Sequence, residues 1–524
     1  YSAALTGLEA QIVEVEADTS VGLNSFQIVG LPDKTVEEAK ERISSALKNC
    51  GFKHPRAFNK RTVINLAPAD IKKEGGMYDL PLALSFLLTS NQTRFDSEKY
   101  LFAGELGLEG NLRPIRGVLS FALLARQEGI STVVVPWQNK NEAGLVRGIH
   151  VIAPRNLMEL IDFLEGRACL PAGRPCLPVG REQESVLRYS AAENSTSRVR
   201  SIAEPEIDMA QISGQQTAKQ ALEIAAAGGH NVIMQGPPGS GKTILAKAFA
   251  GILPKMTDDE MLEVTKIYSM VGMVDSKNPL ITTRPFRAPH HSSSEPALIG
   301  GGAGLKPGEI TLSHRGVLFL DEFPEFHRDV LESLRQPLES GSISIARAKG
   351  QAHFPAKFIL IAASNPCPCG FYNDPEKSCE CFGSQLQRYR KKLSGPLADR
   401  IDIHIEVPHQ KYAVLTSGKL EEPSAKIRER VECAREIQKK RFSKIYKTKT
   451  LCNSEMTIPQ IKKICVIPKE AEAFLAKAVD KDRLSARGYH KVLKLSRTIA
   501  DLEARESINT QDVLGAIKYN RSDR

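Results

Sequence analysis

Gly236-Pro237-Pro238-Gly239-Ser240-Gly241-Lys242-Thr243 follows the apolar run Val232-Ile233-Met234 and precedes a helix-like run, Ile244-Leu245-Ala246-Lys247-Ala248-Phe249-Ala250. Strand, glycine-rich turn and helix in that order make a phosphate-binding loop. Glycines let the backbone curl so that its N–H groups face phosphate oxygens, and the helix N-terminus adds its positive end. Lys242 is placed to neutralise phosphate charge and the Thr243 hydroxyl to ligate Mg²⁺. Gly236, Pro237, Pro238, Gly239, Ser240 and Gly241 complete the cradle. The stretch predicts an α/β fold with a P-loop core that uses ATP and Mg²⁺.

Working outward, Val317-Leu318-Phe319-Leu320 is an apolar strand ending in Asp321-Glu322. A buried parallel strand delivers its last residues to the carboxyl edge of the sheet, where ligands sit. Asp321 then joins the Mg²⁺ shell, and Glu322 polarises the attacking water. A third apolar strand, Phe358-Ile359-Leu360-Ile361-Ala362-Ala363, runs into Ser364-Asn365, making Asn365 a candidate nucleotide sensor. Further on, Arg400 ends a helix-like turn, Leu397-Ala398-Asp399-Arg400, before another strand. A guanidinium there can stabilise transferring charge on a neighbouring subunit's γ-phosphate. An internal salt bridge to Asp399 or Asp402 is the alternative reading.

The chain has 524 residues and a formal net charge of +10. No apolar stretch reaches the ~20 residues of a membrane span, and no basic-then-apolar export signal opens it, so a cytoplasmic protein is expected. From Lys411 onward 26 basic side chains face 15 acidic ones, so the last part carries the whole surplus. Its densest run, 439–449, interleaves lysines and arginines with Phe442 and Tyr446, which suits a polyanion; a solvated helix face is the bland alternative. Of ten cysteines, Cys367, Cys369, Cys379 and Cys381 form two Cys-x-Cys pairs. Four thiolates can close a tetrahedral Zn²⁺ shell and staple a polar loop, with a reduced metal-free cluster or a redox pair as the alternatives.

The ordered set of loop, acidic strand, Asn365 and Asp399-Arg400 resembles the AAA+ ATPases. Arg284-Pro285-Phe286-Arg287-Ala288-Pro289-His290-His291-Ser292, Asn365-Pro366-Cys367-Pro368-Cys369-Gly370 and Leu484-Ser485-Ala486-Arg487-Gly488-Tyr489-His490 resemble the magnesium chelatase-like YifB/ComM family over nearly the whole chain. The resemblance implies that Arg400 is an arginine finger and that Arg487, on a helical lid, is a second sensor contacting phosphate in cis. It also implies an insertion at 282–312 and a hairpin at 342–354, with Arg347 and Lys349 near its tip touching nucleic acid in a ring pore. His290 and His291 read as loop or interface residues rather than metal ligands.

In the N-terminal part, Lys73-Glu74-Gly75-Gly76-Met77-Tyr78-Asp79 and Gly104-Glu105-Leu106-Gly107-Leu108-Glu109-Gly110-Asn111 resemble the proteolytic domain of Lon proteases. Met77 and Leu119 stand at the positions of that family's serine and lysine, and neither can attack a carbonyl or accept a proton, so no peptidase activity is expected. The expected domains are an α+β Lon-like domain at 1–165, a linker at 166–205, the AAA+ core at 206–410 and a basic helical lid at 411–524. The implied function is an ATP-dependent, hexameric DNA motor, a helicase or branch-migration enzyme of recombination or natural transformation on single-stranded or branched DNA. A magnesium chelatase motor subunit and a protein-remodelling ATPase are the competing readings.

Overall fold

The computed structural model describes residues 1–167, 207–301, 305–347, 350–372, 377–393, 397–410, 412–415, 421–446, 452–482 and 484–520. The linker expected at 166–205 lies almost wholly outside them. The chain forms two compact units: Tyr1–Arg200 with Leu262–Ile281, and Ser201–Met261 with Thr282–Arg524.

In the first unit, β1 (Ser2–Thr6), β2 (Glu9–Val21), β3 (Ser25–Val29) and β4 (Lys60–Ala67) make a sheet in the order β1-β2-β4-β3. β4 alternates as a half-buried strand must: Thr62, Ile64 and Leu66 face the core while their neighbours are more exposed. Between β3 and β4 runs α1 (Lys34–Asn49), started by the Asp33 carboxylate accepting from Val36 N at 2.8 Å. Its apolar positions Val36, Ala39, Ile43 and Ala46 fall on one face and are buried. α2 (Asp79–Thr89) is apolar on nearly every side and correspondingly buried. A second, parallel sheet joins β5 (Tyr100–Phe102), β6 (Thr132–Val134) and β7 (His150–Ile152), with α3 (Val118–Gln127) and α4 (Leu157–Leu164). Leu119 is fully buried on α3, and Met77 packs against both apolar clusters of this unit.

Residues 262–281 come from the middle of the nucleotide-binding sequence yet belong to this first unit, a division the expected domain boundaries lack. Glu142 shows why the segment stays. Its buried carboxylate accepts from Leu119 N at 3.1 Å, from Asn139 Nδ2 at 3.2 Å and from the Ser269 hydroxyl. Gly117 N also donates to Ser269 O at 3.2 Å, and Asn141 Nδ2 to Ser276 O at 2.9 Å.

The second unit is built on five parallel strands in the order β9-β10-β13-β8-β14: β8 (Val232–Gln235), β9 (Phe286–Arg287), β10 (Val317–Leu320), β13 (Ile359–Ser364) and β14 (Ile403–Glu406). Every residue of β10 and β13 is buried, the signature of strands covered on both faces. α5 (Gln216–Gly228) precedes β8 and α6 (Lys242–Ile252) follows it. Before β13, β11 (Ser342–Arg347) and β12 (Gly350–Pro355) form an antiparallel hairpin with Arg347 opposite Gly350. Lys349 lies outside the described residues, and the Arg347 side chain is not described.

Helices α7 (Gly383–Leu393), α8 (Ser424–Tyr446), α9 (Ala486–Leu502) and α10 (Thr510–Asn520) complete the unit. One apolar core runs from the sheet into these helices: Met234, Phe249 and Ile361 share it with Val431, Phe442, Leu495 and Ile517. Phe442 is fully buried there, so it cannot stack on a nucleic-acid base as its place in the basic run had suggested. Arg441 in the same run pairs with Asp501, while Lys440 and Lys444 are exposed.

Candidate nucleotide site and the opposite edge of the sheet

Three strands end together at the carboxyl edge of the sheet. β8 runs into the loop 236–241, β10 into Asp321-Glu322, and β13 into Asn365. Gly239 and Gly241 take φ +76° and +95°, a backbone region that side chains disfavour, which is how the loop turns tightly enough to start α6. The Lys242 ammonium donates to Gly236 O at 2.7 Å, Pro237 O at 2.9 Å and Asn365 Oδ1 at 3.2 Å. Burial lowers its pKa from the ordinary lysine value, and Asp321 opposes the shift. Gln215 closes the loop from behind, Nε2 donating to Ser240 O at 3.3 Å and Pro408 O at 2.8 Å.

Thr243 Oγ1 donates to Asp321 Oδ2 at 2.8 Å, so hydroxyl and carboxylate already stand side by side, a hard-oxygen donor pair suited to Mg²⁺. Ser240 Oγ is buried in the loop with no hydrogen-bond partner among the described residues. An orphaned buried hydroxyl is costly unless a ligand satisfies it, and a phosphate oxygen fits the position. Glu322 sits at φ +51°, left-handed backbone that a glutamate rarely adopts, and its Oε2 lies 3.0 Å from His291 Nδ1. His291, expected as a loop or interface residue rather than a metal ligand, is the partner of the catalytic-base candidate.

The predicted arginines are elsewhere. Arg400 and Arg487 both bond Glu339 Oε1, Arg487 at 3.3 Å. Asp402, one of the two alternative partners named for Arg400, faces His230 Nδ1 at 3.3 Å and Asn231 N at 3.2 Å. The arginines line a cavity of about 790 Å³ whose other walls include Asn231, Gly316, Phe358 and Asp402, the residues just before β8, β10, β13 and β14. Arg284, Arg435 and Lys491 add cationic groups to the lining, alongside the carboxylates Glu260, Asp399, Asp402 and Glu455. It therefore lies at the amino edge of the sheet, separated from the phosphate loop by the length of β8, about 13 Å. The cis contact expected for Arg487 is not the arrangement found: Arg487 goes with the finger candidate, not with Lys242. Glu339 carried no motif, because its meaning lies in two partners 61 and 148 residues away.

The four cysteines meet. Their sulfurs all lie within 4.8 Å of one another, with Cys367 buried and the other three half-buried. Residues 373–376, between the pairs, lie outside the described residues.

Fold and site together define a P-loop ATPase of the AAA+ type. The families described as "Magnesium chelatase, subunit ChlI", "Subunit ChlI of Mg-chelatase" and "Magnesium chelatase, subunit ChlI C-terminal" match residues 208–415, 15–139 and 421–520. Competence protein ComM of Haemophilus influenzae is 43% identical over 525 residues, covering 99% of this chain and 96% of that protein. The uncharacterized protein YifB of Escherichia coli is 38% identical over 526 residues, covering 100% and 97%. A Lon protease of Mycolicibacterium smegmatis is 31% identical over 143 residues, 26% of this chain and 18% of that enzyme. The chain belongs to the YifB/ComM family of magnesium chelatase-like AAA+ ATPases. Among its described residues no helix is long and apolar enough to cross a membrane.

Proposed function

We propose that the chain is an ATP-driven motor that remodels DNA, working in the cytoplasm as a hexameric ring in recombination during natural transformation. The carrying observation is the split between the two sheet edges. Lys242, Thr243, Asp321 and Glu322 gather at one edge, Arg400 and Arg487 at the other. A site divided this way works when copies stack head to tail, the arginine edge of one against the phosphate loop of the next, and such heterologous contacts close into rings.

Within that composite site the loop backbone and Lys242 hold the phosphates, and Thr243 and Asp321 would hold Mg²⁺, which would supply neutralisation of phosphate charge. Glu322 orients the attacking water, taking up its proton, while Asn365, already bonded to Lys242, reports on the γ-phosphate. The neighbour's Arg400 stabilises charge on the transferring group, a contribution worth on the order of a thousandfold or more in rate. Arg487 acts from the same side. When both guanidinia move to phosphate, Glu339 loses its partners, and Glu339 lies three residues before β11 of the hairpin. That proximity is a mechanical route from hydrolysis to Arg347 and Lys349, read as the pore's DNA contacts. Cys367, Cys369, Cys379 and Cys381 are read as a structural Zn²⁺ site.

The full-length likeness to a competence protein favours DNA over a porphyrin or an unfolded protein as the substrate. The test is ATP hydrolysis measured alone, with single-stranded DNA and with a four-way junction. Stimulation by DNA that falls steeply with salt is expected, as phosphate contacts release counterions. Hydrolysis indifferent to every DNA would move the reading to protein remodelling or chelation.

A further inference from the structure

The four cysteines stand where a metal would act on the nucleotide site. Cys367 Sγ lies 3.2 Å from Cys369 Sγ and 3.7 Å from Cys379 Sγ, and Cys369 Sγ is 3.6 Å from Cys379 Sγ. A tetrahedral thiolate shell at the usual Zn–S distance of about 2.3 Å has sulfurs about 3.8 Å apart. Disulfide bonds are absent among these described cysteines, so all four sulfurs remain open to a metal.

Both arms of the loop reach the phosphate site. On the first arm, Asn365 accepts from the Lys242 ammonium through Oδ1, two residues before Cys367. Gly370, which closes a turn by donating to Cys367 O at 3.0 Å, faces Pro238 of the phosphate loop. A Cβ added at Gly370 would sit 2.5 Å from Pro238 Cδ, and its φ of +88° disfavours any side chain. On the second arm α7 begins two residues after Cys381, and its Tyr389 hydroxyl donates to Asn365 O at 3.1 Å. The same helix sends Lys392 Nζ to Pro324 O at 2.9 Å, beside Glu322.

We propose that Cys367, Cys369, Cys379 and Cys381 bind a thiophilic divalent metal whose occupancy sets nucleotide affinity by clamping both arms of the loop onto Pro238 and Asn365. The proposal rests on the Zn²⁺ reading above and adds the coupling. Metal joins Cys367 and Cys369 to Cys379 and Cys381, which fixes Asn365 from below and Tyr389 from above. Without that cross-link the two arms separate, Gly370 lifts from Pro238, and the loop loses its lateral support. The clamp is not itself catalytic; it positions Asn365 and the phosphate loop.

The experiment uses the full chain. Metal content is measured on purified protein and after stripping with a zinc-selective chelator, and a fluorescent ATP analogue is titrated in excess Mg²⁺ before stripping, after it, and after ZnCl₂ is returned. Expected results are one Zn²⁺ per chain, a roughly tenfold weaker nucleotide Kd when stripped, about 1.4 kcal/mol, and recovery on refilling. Gly370→Ala should keep its Zn²⁺ and still weaken nucleotide, which separates the clamp from folding; Cys381→Ser should lose both. A chain that holds no Zn²⁺ and takes up none overturns the metal site itself. A chain that binds Zn²⁺ but whose nucleotide Kd is unmoved by stripping and by Gly370→Ala overturns the coupling and leaves the metal reading standing.

Discussion

The two edges of the second unit's sheet are built on opposite plans. At the carboxyl edge most polar groups pair within a short span, Lys242 with the loop carbonyls and Asn365, Thr243 with Asp321, Glu322 with His291, and the buried Ser240 hydroxyl is left for a ligand. At the amino edge two arginines share one carboxylate, Glu339, beside a cavity lined by further cations. The first edge is a finished ligand site, preorganised by backbone and short side-chain contacts. The second is lined by more cationic than anionic side chains, which suits an anion arriving from outside. A neighbour's nucleotide is such an anion.

The comparison breaks hardest under substitution of the named cations. Lys242→Ala should abolish hydrolysis and also weaken nucleotide binding, since it removes a group that holds phosphate in the ground state. Arg400→Ala should cut kcat on the order of a thousandfold while leaving the Kd of an isolated chain for nucleotide unchanged. Equal loss of binding in both variants, read by nucleotide titration, would place Arg400 in its own chain's site and erase the distinction between the edges.

Glu339→Gln sharpens it with a smaller effect. Neutralising the shared carboxylate weakens its hold on Arg400 and Arg487 without removing them, so basal hydrolysis should hold or rise a fewfold while stimulation by DNA falls. Loss of basal hydrolysis to the level of Arg400→Ala would show that Glu339 positions the finger rather than restraining it.

At the other edge, His291→Ala should lower kcat several-fold with little change in KM, and His291→Gln should recover part of it by keeping a hydrogen bond to Glu322. A purely structural role would show no difference between the two variants in kcat at matched stability.

The smallest effect concerns pH. Burial lowers the pKa of His404 on β14 to about 4, with Lys491 adding to the shift and Asp402 opposing it. The unfolded chain binds this proton below about 6.5 and the folded chain does not until about 4. Acidification through that window therefore favours unfolding, and stability is fully present above about 6.5. Thermal melts should fall more steeply between pH 6.5 and 5 for the parent than for His404→Gln; parallel curves would remove His404 as the cause.

Much of this was legible in the sequence, and the divide follows the same two edges. The phosphate loop, the acidic strand end and Asn365 are contiguous motifs whose geometry is set by local backbone, so reading them needs no partner. The cysteine cluster was legible for a related reason, since few other arrangements explain four thiols in one polar loop. The amino edge was not: Glu339 has no local signal, and the position of Arg487 depends on how the helices after 421 pack. Phe442 was misassigned because charge spacing along α8 does not say which helix face meets the core. That residues 262–281 cluster with the first unit was hidden for a similar reason, as a helix such as Asp258–Val271 reads the same whichever unit it packs against.

The central claim, that opposite edges of two copies make one active site, is tested most directly by mixing Lys242→Ala chains with chains carrying Arg400→Ala. Each alone is predicted to be inactive. In an equal mixture about a quarter of the head-to-tail interfaces pair an intact phosphate loop with an intact arginine, so ATP hydrolysis should return to about a quarter of the parent rate. No recovery at any mixing ratio, in preparations shown to co-assemble, would contradict the account.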